Sequence, residues 1–103
     1  GSAGDPSYPT SKHAVRGLTK SAALTYAEAG VRVNCIAPGV VKTGMTTGLF
    51  ENEQMVGYLK SVTPMRRFAE PEEIADLITF LCSDHASFIT GGYYNIDGGW
   101  LAG

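Results

Sequence analysis

The sequence predicts an α/β fold built around a parallel sheet. Three observations favour this fold: an alanine-rich helical pattern, a short apolar segment after it, and a second helical pattern that precedes another apolar segment near the C-terminus. Helices that alternate with strands are typical of parallel sheets with right-handed crossovers. The length of 103 residues predicts a single domain.

The first predicted helix covers about residues 10–29, where apolar residues recur at steps of three and four. Its alanines favour helix and leave a thin side-chain layer, so a neighbouring element could approach closely. Gly30 is typical of a helix end. Residues 1–9, which are mostly small or polar, are predicted to form a loop. The recurring apolar positions are Ala14, Val15, Leu18, Ala22 and Tyr26.

Two strands are predicted. In residues 31–37, apolar and polar side chains first alternate, and the last three positions are all apolar. This pattern indicates a strand that is buried on both faces and ends at Pro38 and Gly39. Residues 93–96 form the second, between glycines and the turn at 97–99. Two strands do not make a stable sheet alone, because their faces and edges need cover. We therefore expect the remaining strands to come from elsewhere or from copies of this chain.

The chain between the two strands is predicted to be less regular over residues 40–68 and helical after that. Residues 45–50 and 52–62 are compatible with two short helices. Residues 71–83 favour a longer helix, since Pro71 suits the first helical position and glutamates surround the positive end of its dipole. Its predicted buried face consists of Ile74, Leu77, Ile78, Leu81 and Cys82.

Composition excludes several classes of partner. The net charge of -2 gives no electrostatic reason to expect nucleic acid or an anionic membrane. No apolar run approaches the roughly 20 residues of a membrane helix, and no signal-peptide pattern is present, so a cytoplasmic location is expected.

Cys35 and Cys82 lie in apolar sequence surroundings and are expected to be buried free thiols, with a disulfide as the less favoured alternative. Their spacing indicates no metal site.

Tyr8 and Lys12 are four residues apart at the start of the first helix, a spacing that places both on one face. A nearby ammonium favours phenolate, so Lys12 is expected to lower the pKa of Tyr8 from its ordinary value of about 10. Such a tyrosine could donate and accept a proton near neutral pH. The spacing alone is common, and by itself it favours an ordinary exposed pair at the start of a helix.

Further blocks surround this pair. Asn34-x-x-x-Pro38-Gly39 follows the helix, Val41 and Thr43 come next, and residues 89–100 end in Asp-Gly-Gly-Trp. In this order the blocks resemble the C-terminal part of classical short-chain dehydrogenases/reductases, and they cover nearly all of residues 1–103. The resemblance implies a Rossmann-like doubly wound parallel sheet, of which this chain supplies about two strands and three or more helices.

The resemblance also implies an activity, the interconversion of a carbonyl and an alcohol by hydride transfer with NAD or NADP. Tyr8 would be the general acid/base, and Lys12 would lower its pKa and bind the nicotinamide ribose. Residues 45–68 would form a substrate lid. A small-molecule carbonyl or alcohol and a homo-oligomer are the implied partners. Cofactor contacts are implied at Tyr8, Lys12, Pro38, Gly39, the backbone of Val41, and Thr43.

Other parts of the family pattern stand outside this sequence. These are the glycine-rich turn that approaches the pyrophosphate, the residue that selects NAD or NADP, the catalytic serine and an upstream asparagine. The isolated chain is expected to be inactive, because Tyr8 and Lys12 alone cannot position hydride donor and acceptor. The alternative is a non-catalytic, self-associating assembly module. Structural or surface roles are expected at His13, Asn34, Arg66, Arg67, His85 and Asp97.

Overall fold

The computed structural model describes residues 7–42, 48 and 51–102, with only the backbone described at 7–10. No helix in these ranges is long and apolar enough to cross a lipid bilayer. The elements follow the predicted order of helix, strand, helices and strand. They are α1 (Ser7–Tyr26), β1 (Cys35–Pro38), α2 (Glu53–Val62), α3 (Pro71–Leu81) and β2 (Tyr93–Ile96), with short 3₁₀ helices at Asp84–Ala86 and Trp100–Ala102.

Strands β1 and β2 pair in parallel. The amide of Gly91 donates to Val33 O at 2.7 Å before the strands begin, and the amide of Gly39 donates to Ile96 O at 3.1 Å where they end. The predicted parallel sheet and the bounds of β2 are confirmed. The expected burial of β1 on both faces is wrong: the strand is half-buried and Pro38 is exposed, since β2 is its only partner among the described residues.

The chain divides into two compact units. The loop unit consists of residues 37–78 and 95–103, and the helix unit consists of residues 2–36 and 79–94. The boundaries between the units fall inside β1, α3 and β2, so each unit contains part of the sheet.

Helix α1 belongs to the helix unit and begins three residues earlier than predicted. Pro9 is tolerated there, because the amides of the first helical turn have no helical acceptor and a proline loses nothing by lacking one. The helix ends at Tyr26 rather than at residue 29. The amide of Ala29 bonds Tyr26 O at 3.1 Å in a tighter turn, which Gly30 completes with a φ of 77°.

The face of α1 that packs within the helix unit is not the predicted apolar one. Thr19 and Ala23 are buried, at 8% and 4% exposure, whereas Leu18 is 71% exposed. A methyl group on Gly91 would meet the Cβ of Ala23 at 3.4 Å, so the expected close approach to this alanine-rich helix is confirmed. The packed face instead includes the half-buried side chains of Lys12 and Arg16.

Arg32 ties the beginning of β1 to the chain that follows α3. Its guanidinium donates to Leu81 O at 2.7 Å, to Ile89 O at 3.2 Å and to Ser83 O at 3.3 Å. Carbonyl groups at the end of a helix have no partner within the helix, so a planar cation with several donors suits them. Arg32 thereby joins three points of the helix unit.

Helix α2 begins after Asn52, whose side-chain oxygen accepts from the amide of Met55 at 3.1 Å. Its bounds agree with the predicted second short helix, whereas the first, at 45–50, lies outside the described residues except for Gly48. Leu59 and Phe68 are buried and belong to the small core of the loop unit.

Helix α3 agrees with the prediction at its start and ends two residues earlier. Both cysteines are free, as expected, but Cys82 is exposed and Cys35 is only half-buried. The predicted burial of Cys82 is wrong: it lies just after the end of α3 and is exposed. Ile78, on the same predicted face, is also largely exposed.

Candidate active site

Gly39 follows β1 at the carboxyl end of the sheet, in close contact with the residue that follows β2. A Cβ on Gly39 would lie 3.0 Å from both Cα and Cβ of Asp97. The Asp97 carboxylate accepts from the amides of Gly99 at 3.0 Å and Leu101 at 3.2 Å, so its expected role in the C-terminal turn is confirmed. A glycine is therefore required where the two strand ends approach each other.

The chain beyond Gly39 is held by a parallel bridge between Val41 and Ala69. The amide of Ala69 donates to Val40 O at 2.9 Å, and the amide of Lys42 donates to Ala69 O at 3.0 Å. Because successive backbone groups of an extended chain alternate in direction, the N–H and C=O of Val41 point away from Ala69. Of the predicted cofactor residues, Pro38, Gly39 and Val41 are thus neighbouring positions on one fixed backbone.

Two ion pairs flank this backbone. Lys42 Nζ lies 3.2 Å from Glu70 Oε1, and Arg67 meets both carboxylate oxygens of Glu73, at 2.7 and 2.9 Å. The hydrogen bond from Arg67, followed by the one from the Glu70 amide, lowers the pKa of Glu73 to about 2. Glu73 in turn raises the pKa of Arg67. Arg66 and Arg67 are exposed as expected, and two guanidinium nitrogens of Arg67 already bind a carboxylate.

A cavity of about 110 Å³ lies beside Gly39 and Val40 in the loop unit. Arg67, Glu73 and Asp97 contribute its charged groups, and each of them is already engaged within the protein. A ligand in this cavity would therefore meet apolar surface rather than unpaired charged groups.

Asn34, the first residue of the Asn-x-x-x-Pro-Gly block, makes two backbone contacts in the helix unit. Its Nδ2 donates to Ile89 O at 3.0 Å, and its Oδ1 accepts from the amide of Gly92 at 3.0 Å. The side chain therefore has a structural role, as expected, but it acts at the start of β1 and not at the strand-to-loop turn where the sequence predicted it.

Tyr8 and Lys12 belong to the helix unit. The helix includes residue 8, so the two positions lie one turn apart, although only the backbone of Tyr8 is described. Lys12 is half-buried, and its Nζ lies 6.0 Å from the centroid of the Tyr93 ring. Arg16 stacks on the same ring, with Cζ 4.6 Å from the centroid. Sequence reasoning missed Arg16 and Tyr93, and the only signal was the four-residue step from Lys12 to Arg16.

The predicted site residues are thus divided between the two units. Lys12 and the backbone of Tyr8 lie in the helix unit, and Gly39 and Val41 lie with Pro38 in the loop unit. Thr43 lies outside the described residues.

Comparison with known proteins identifies the family. Residues 1–101 match the family model described as enoyl-(acyl carrier protein) reductase. The chain belongs to the short-chain dehydrogenase/reductase family. The family accounts for the parallel pair of strands and for the order of the four sequence blocks.

Several family members are similar over most of the chain. Short-chain dehydrogenase fogB of Aspergillus ruber is 50% identical over 93 residues, which are 89% of this chain and 34% of the relative. Cyclohexanol dehydrogenase of Acinetobacter sp. (strain SE19) is 45% identical over 95 residues, or 92% of this chain and 36% of the relative. This chain therefore spans just over a third of the length of these curated relatives.

Among solved structures, a 4-hydroxyisoleucine dehydrogenase complexed with NADH is similar with a TM-score of 0.86. It is 43% identical, and the match covers 93% of this chain and 40% of that one. The two-stranded sheet and its helices are thus part of the α/β fold of a short-chain dehydrogenase/reductase.

Proposed function

We propose that this chain is part of an NAD(P)-dependent oxidoreductase that interconverts a small-molecule carbonyl and the corresponding alcohol. The supporting observation is its 0.86 TM-score similarity, at 43% identity, to a dehydrogenase complexed with NADH. That similarity covers 93% of this chain, so the proposal rests on nearly all of its residues.

The strand ends fit the nicotinamide part of such a cofactor. In open α/β sheets, ligands bind beyond the carboxyl ends of the strands, where Pro38 is exposed and Gly39 brings the backbone close to Asp97. Pro38 and Gly39 would lie against the nicotinamide, and the backbone of Val41, fixed by its bridge to Ala69, would bind the carboxamide. The cofactor supplies or accepts the hydride. Thr43 would contact the amide or the pyrophosphate.

In this proposal Tyr8 carries the proton. Its phenol would donate to the substrate oxygen during reduction and accept from it during oxidation. Lys12, one turn along α1, would favour the phenolate and bind the nicotinamide ribose. Neither residue can orient the substrate alone, so we expect the isolated chain to be inactive.

Exposed apolar residues support a second candidate, a self-associating assembly module without catalysis. Leu18 and Leu24 of α1 are 71% and 81% exposed, and Phe88 is fully exposed. Apolar surface of this kind commonly marks a contact between proteins. The two candidates are separable, because only the first requires Tyr8.

The catalytic proposal can be tested in a chimera, in which this chain replaces the matching C-terminal segment of Acinetobacter cyclohexanol dehydrogenase. We expect the chimera to oxidise cyclohexanol with NAD or NADP. We expect Tyr8→Phe to lower kcat by about 10²- to 10⁴-fold, the usual contribution of a general acid/base. Tyr26→Phe, at the exposed end of the same helix, is the matched control. A folded chimera whose turnover survives Tyr8→Phe would contradict the proposal.

The expected inactivity of the chain alone has its own test. Titration of the 103-residue chain with NADH and with NADPH, followed by nicotinamide fluorescence, should show no saturable binding up to millimolar cofactor. Saturation in the micromolar range would mean that this chain forms a usable site without the glycine-rich turn.

A further inference from the structure

We propose that Tyr93 is a positioning residue for Lys12: the face of its ring holds the Lys12–Arg16 side of α1 and fixes where the Lys12 ammonium lies. This inference rests on the proposed function, in which Lys12 assists Tyr8. It concerns contacts within the helix unit alone.

The geometry places both cations over one ring. Arg16 Cζ lies 4.6 Å and Lys12 Nζ 6.0 Å from the Tyr93 centroid, both within the roughly 6 Å range of cation–π attraction. Lys12 and Arg16 are half-buried, while their neighbours Ser11 and His13 are exposed. The ring therefore lies under the turn of α1 that contains Lys12.

A second contact sets the position of α1 along β2. Ala23, about two turns after Arg16, packs against Gly91, two residues before Tyr93. Gly91 is itself held by its hydrogen bond to Val33 O at 2.7 Å. Because helix and strand meet at two separated points, a change at Tyr93 should alter the Lys12 end of the contact and spare the Ala23 end.

An aromatic ring holds a cation without neutralising it. Neither Lys12 nor Arg16 forms a salt bridge within the part of the chain that the structure describes, and Arg16 Nε is buried there with no hydrogen-bond partner. Two like charges four residues apart on a helix repel each other, and the negative face of the ring offsets that repulsion. A carboxylate at position 93 would instead occupy the N–H donors that Lys12 needs for a ribose and a phenol.

Variants at position 93 test the proposal in the full 103-residue chain. Tyr93→Leu keeps apolar volume and removes the ring face, whereas Tyr93→Phe keeps the ring. Tyr94→Leu, whose side chain points to the opposite face of β2, is the matched control. In NMR spectra we expect upfield ring-current shifts of the terminal methylenes of Lys12 and Arg16 to persist in Tyr93→Phe and Tyr94→Leu. They should be lost in Tyr93→Leu.

The second readout is the titration midpoint of the Tyr8 phenol, followed by ¹³C NMR, because a merely structural contact would not move it. We expect Tyr93→Leu and Lys12→Met to raise this midpoint, and Tyr93→Phe to leave it unchanged. If Lys12→Met raises it and Tyr93→Leu does not, the positioning role is refuted while the role of Lys12 stands. If neither variant moves it, Lys12 does not assist Tyr8 in this chain, and both this inference and the role proposed for Lys12 are overturned, while the chimera still tests the proposed function.

Discussion

Two glycines show how the same substitution acts in opposite directions at different positions. A Cβ on Gly39 would lie 3.0 Å from backbone and side-chain atoms of Asp97, whereas one on Gly17, inside α1, would have nothing within 4 Å. Space at Gly39 is limited by backbone, which cannot rotate aside as a flexible side chain can. The two positions therefore form a matched pair for a stability measurement.

We expect Gly39→Ala to lower the free energy of unfolding by about 1–3 kcal/mol through overpacking. Gly17→Ala should raise it by about 0.5–1 kcal/mol, because alanine loses less conformational freedom than glycine in a helix. Urea denaturation of the two variants beside the unsubstituted chain would measure both changes. Equal effects at the two positions would contradict the close approach of Gly39 to Asp97.

The lowered pKa of Glu73 predicts that the stability of the fold depends on pH. Its pKa of about 2 in the folded chain lies below its ordinary value of 4.5, so the contact with Arg67 stabilises the fold fully above pH 4.5. That stabilisation should be lost as the pH falls from 4.5 towards 2. Glu73→Gln should lack this part of the acid sensitivity, and Glu72→Gln, in the same helical turn, should keep it. Thermal unfolding across this pH range measures the difference.

At the residue scale, the sequence predicted a role correctly where the contacts of a residue are close to it in sequence. Asp97 binds amides two and four residues away, and such local turns follow from residue type. Sequence reasoning failed for Arg16 and Tyr93, which are distant in sequence and meet only through the alignment of α1 with β2. Periodicity shows which residues share a helix face, but not which face a tertiary contact selects.

At the scale of elements, Arg32 is the residue that most directly joins separate segments. Its guanidinium binds the last carbonyl of α3 and two carbonyls beyond it, at Ser83 and Ile89. The lysine side chain is also cationic but has a single nitrogen, which cannot reproduce this fork.

We expect Arg32→Lys to lower the free energy of unfolding by about 2 kcal/mol, the magnitude of a hydrogen bond from a charged group. Arg66→Lys is the matched control, because Arg66 is exposed and donates to one carbonyl, Ser61 O. Chemical denaturation measures both variants. A loss no larger at Arg32 than at Arg66 would show that the three carbonyls do not depend on the guanidinium.

The elements with strong local signals were predicted to within about two residues. Asn52 marks the start of α2, Pro71 starts α3, and glycines bound β2. The errors fall at the two ends of α1 and at the start of β1, although local preference there favours helix and strand. Residues 31–34 have strand-like composition, yet β1 begins only at Cys35.

At the scale of the whole molecule, the parallel α/β arrangement was predictable because helices and strands alternate along the chain. Several of the recurring apolar positions of α1 are exposed. Leu18 and Leu24 are 71% and 81% exposed and leave apolar surface in solvent. A chain that spans just over a third of its relatives has fewer elements with which to cover such surfaces.

This surface predicts association between copies of the 103-residue chain. We expect size-exclusion chromatography with light scattering to detect a homo-oligomer, and Leu24→Glu to shift it towards monomer by placing a charge in an apolar contact. Glu28→Gln, four residues after Leu24 and also exposed, should leave the oligomer intact. An unsubstituted chain that is monomeric at high concentration would contradict the prediction.

The bridge between Val41 and Ala69 has a consequence for the length of the segment that it encloses. It holds the backbone at Val40–Lys42 beside the backbone of Ala69, so the two ends of the segment between them are fixed together. Doubling the length of a closed flexible loop costs only about 0.6 kcal/mol of chain entropy. A change of length in the part of this segment outside α2 should therefore cost little chain entropy, while the hydrogen bonds between Val40, Lys42 and Ala69 keep its two ends together.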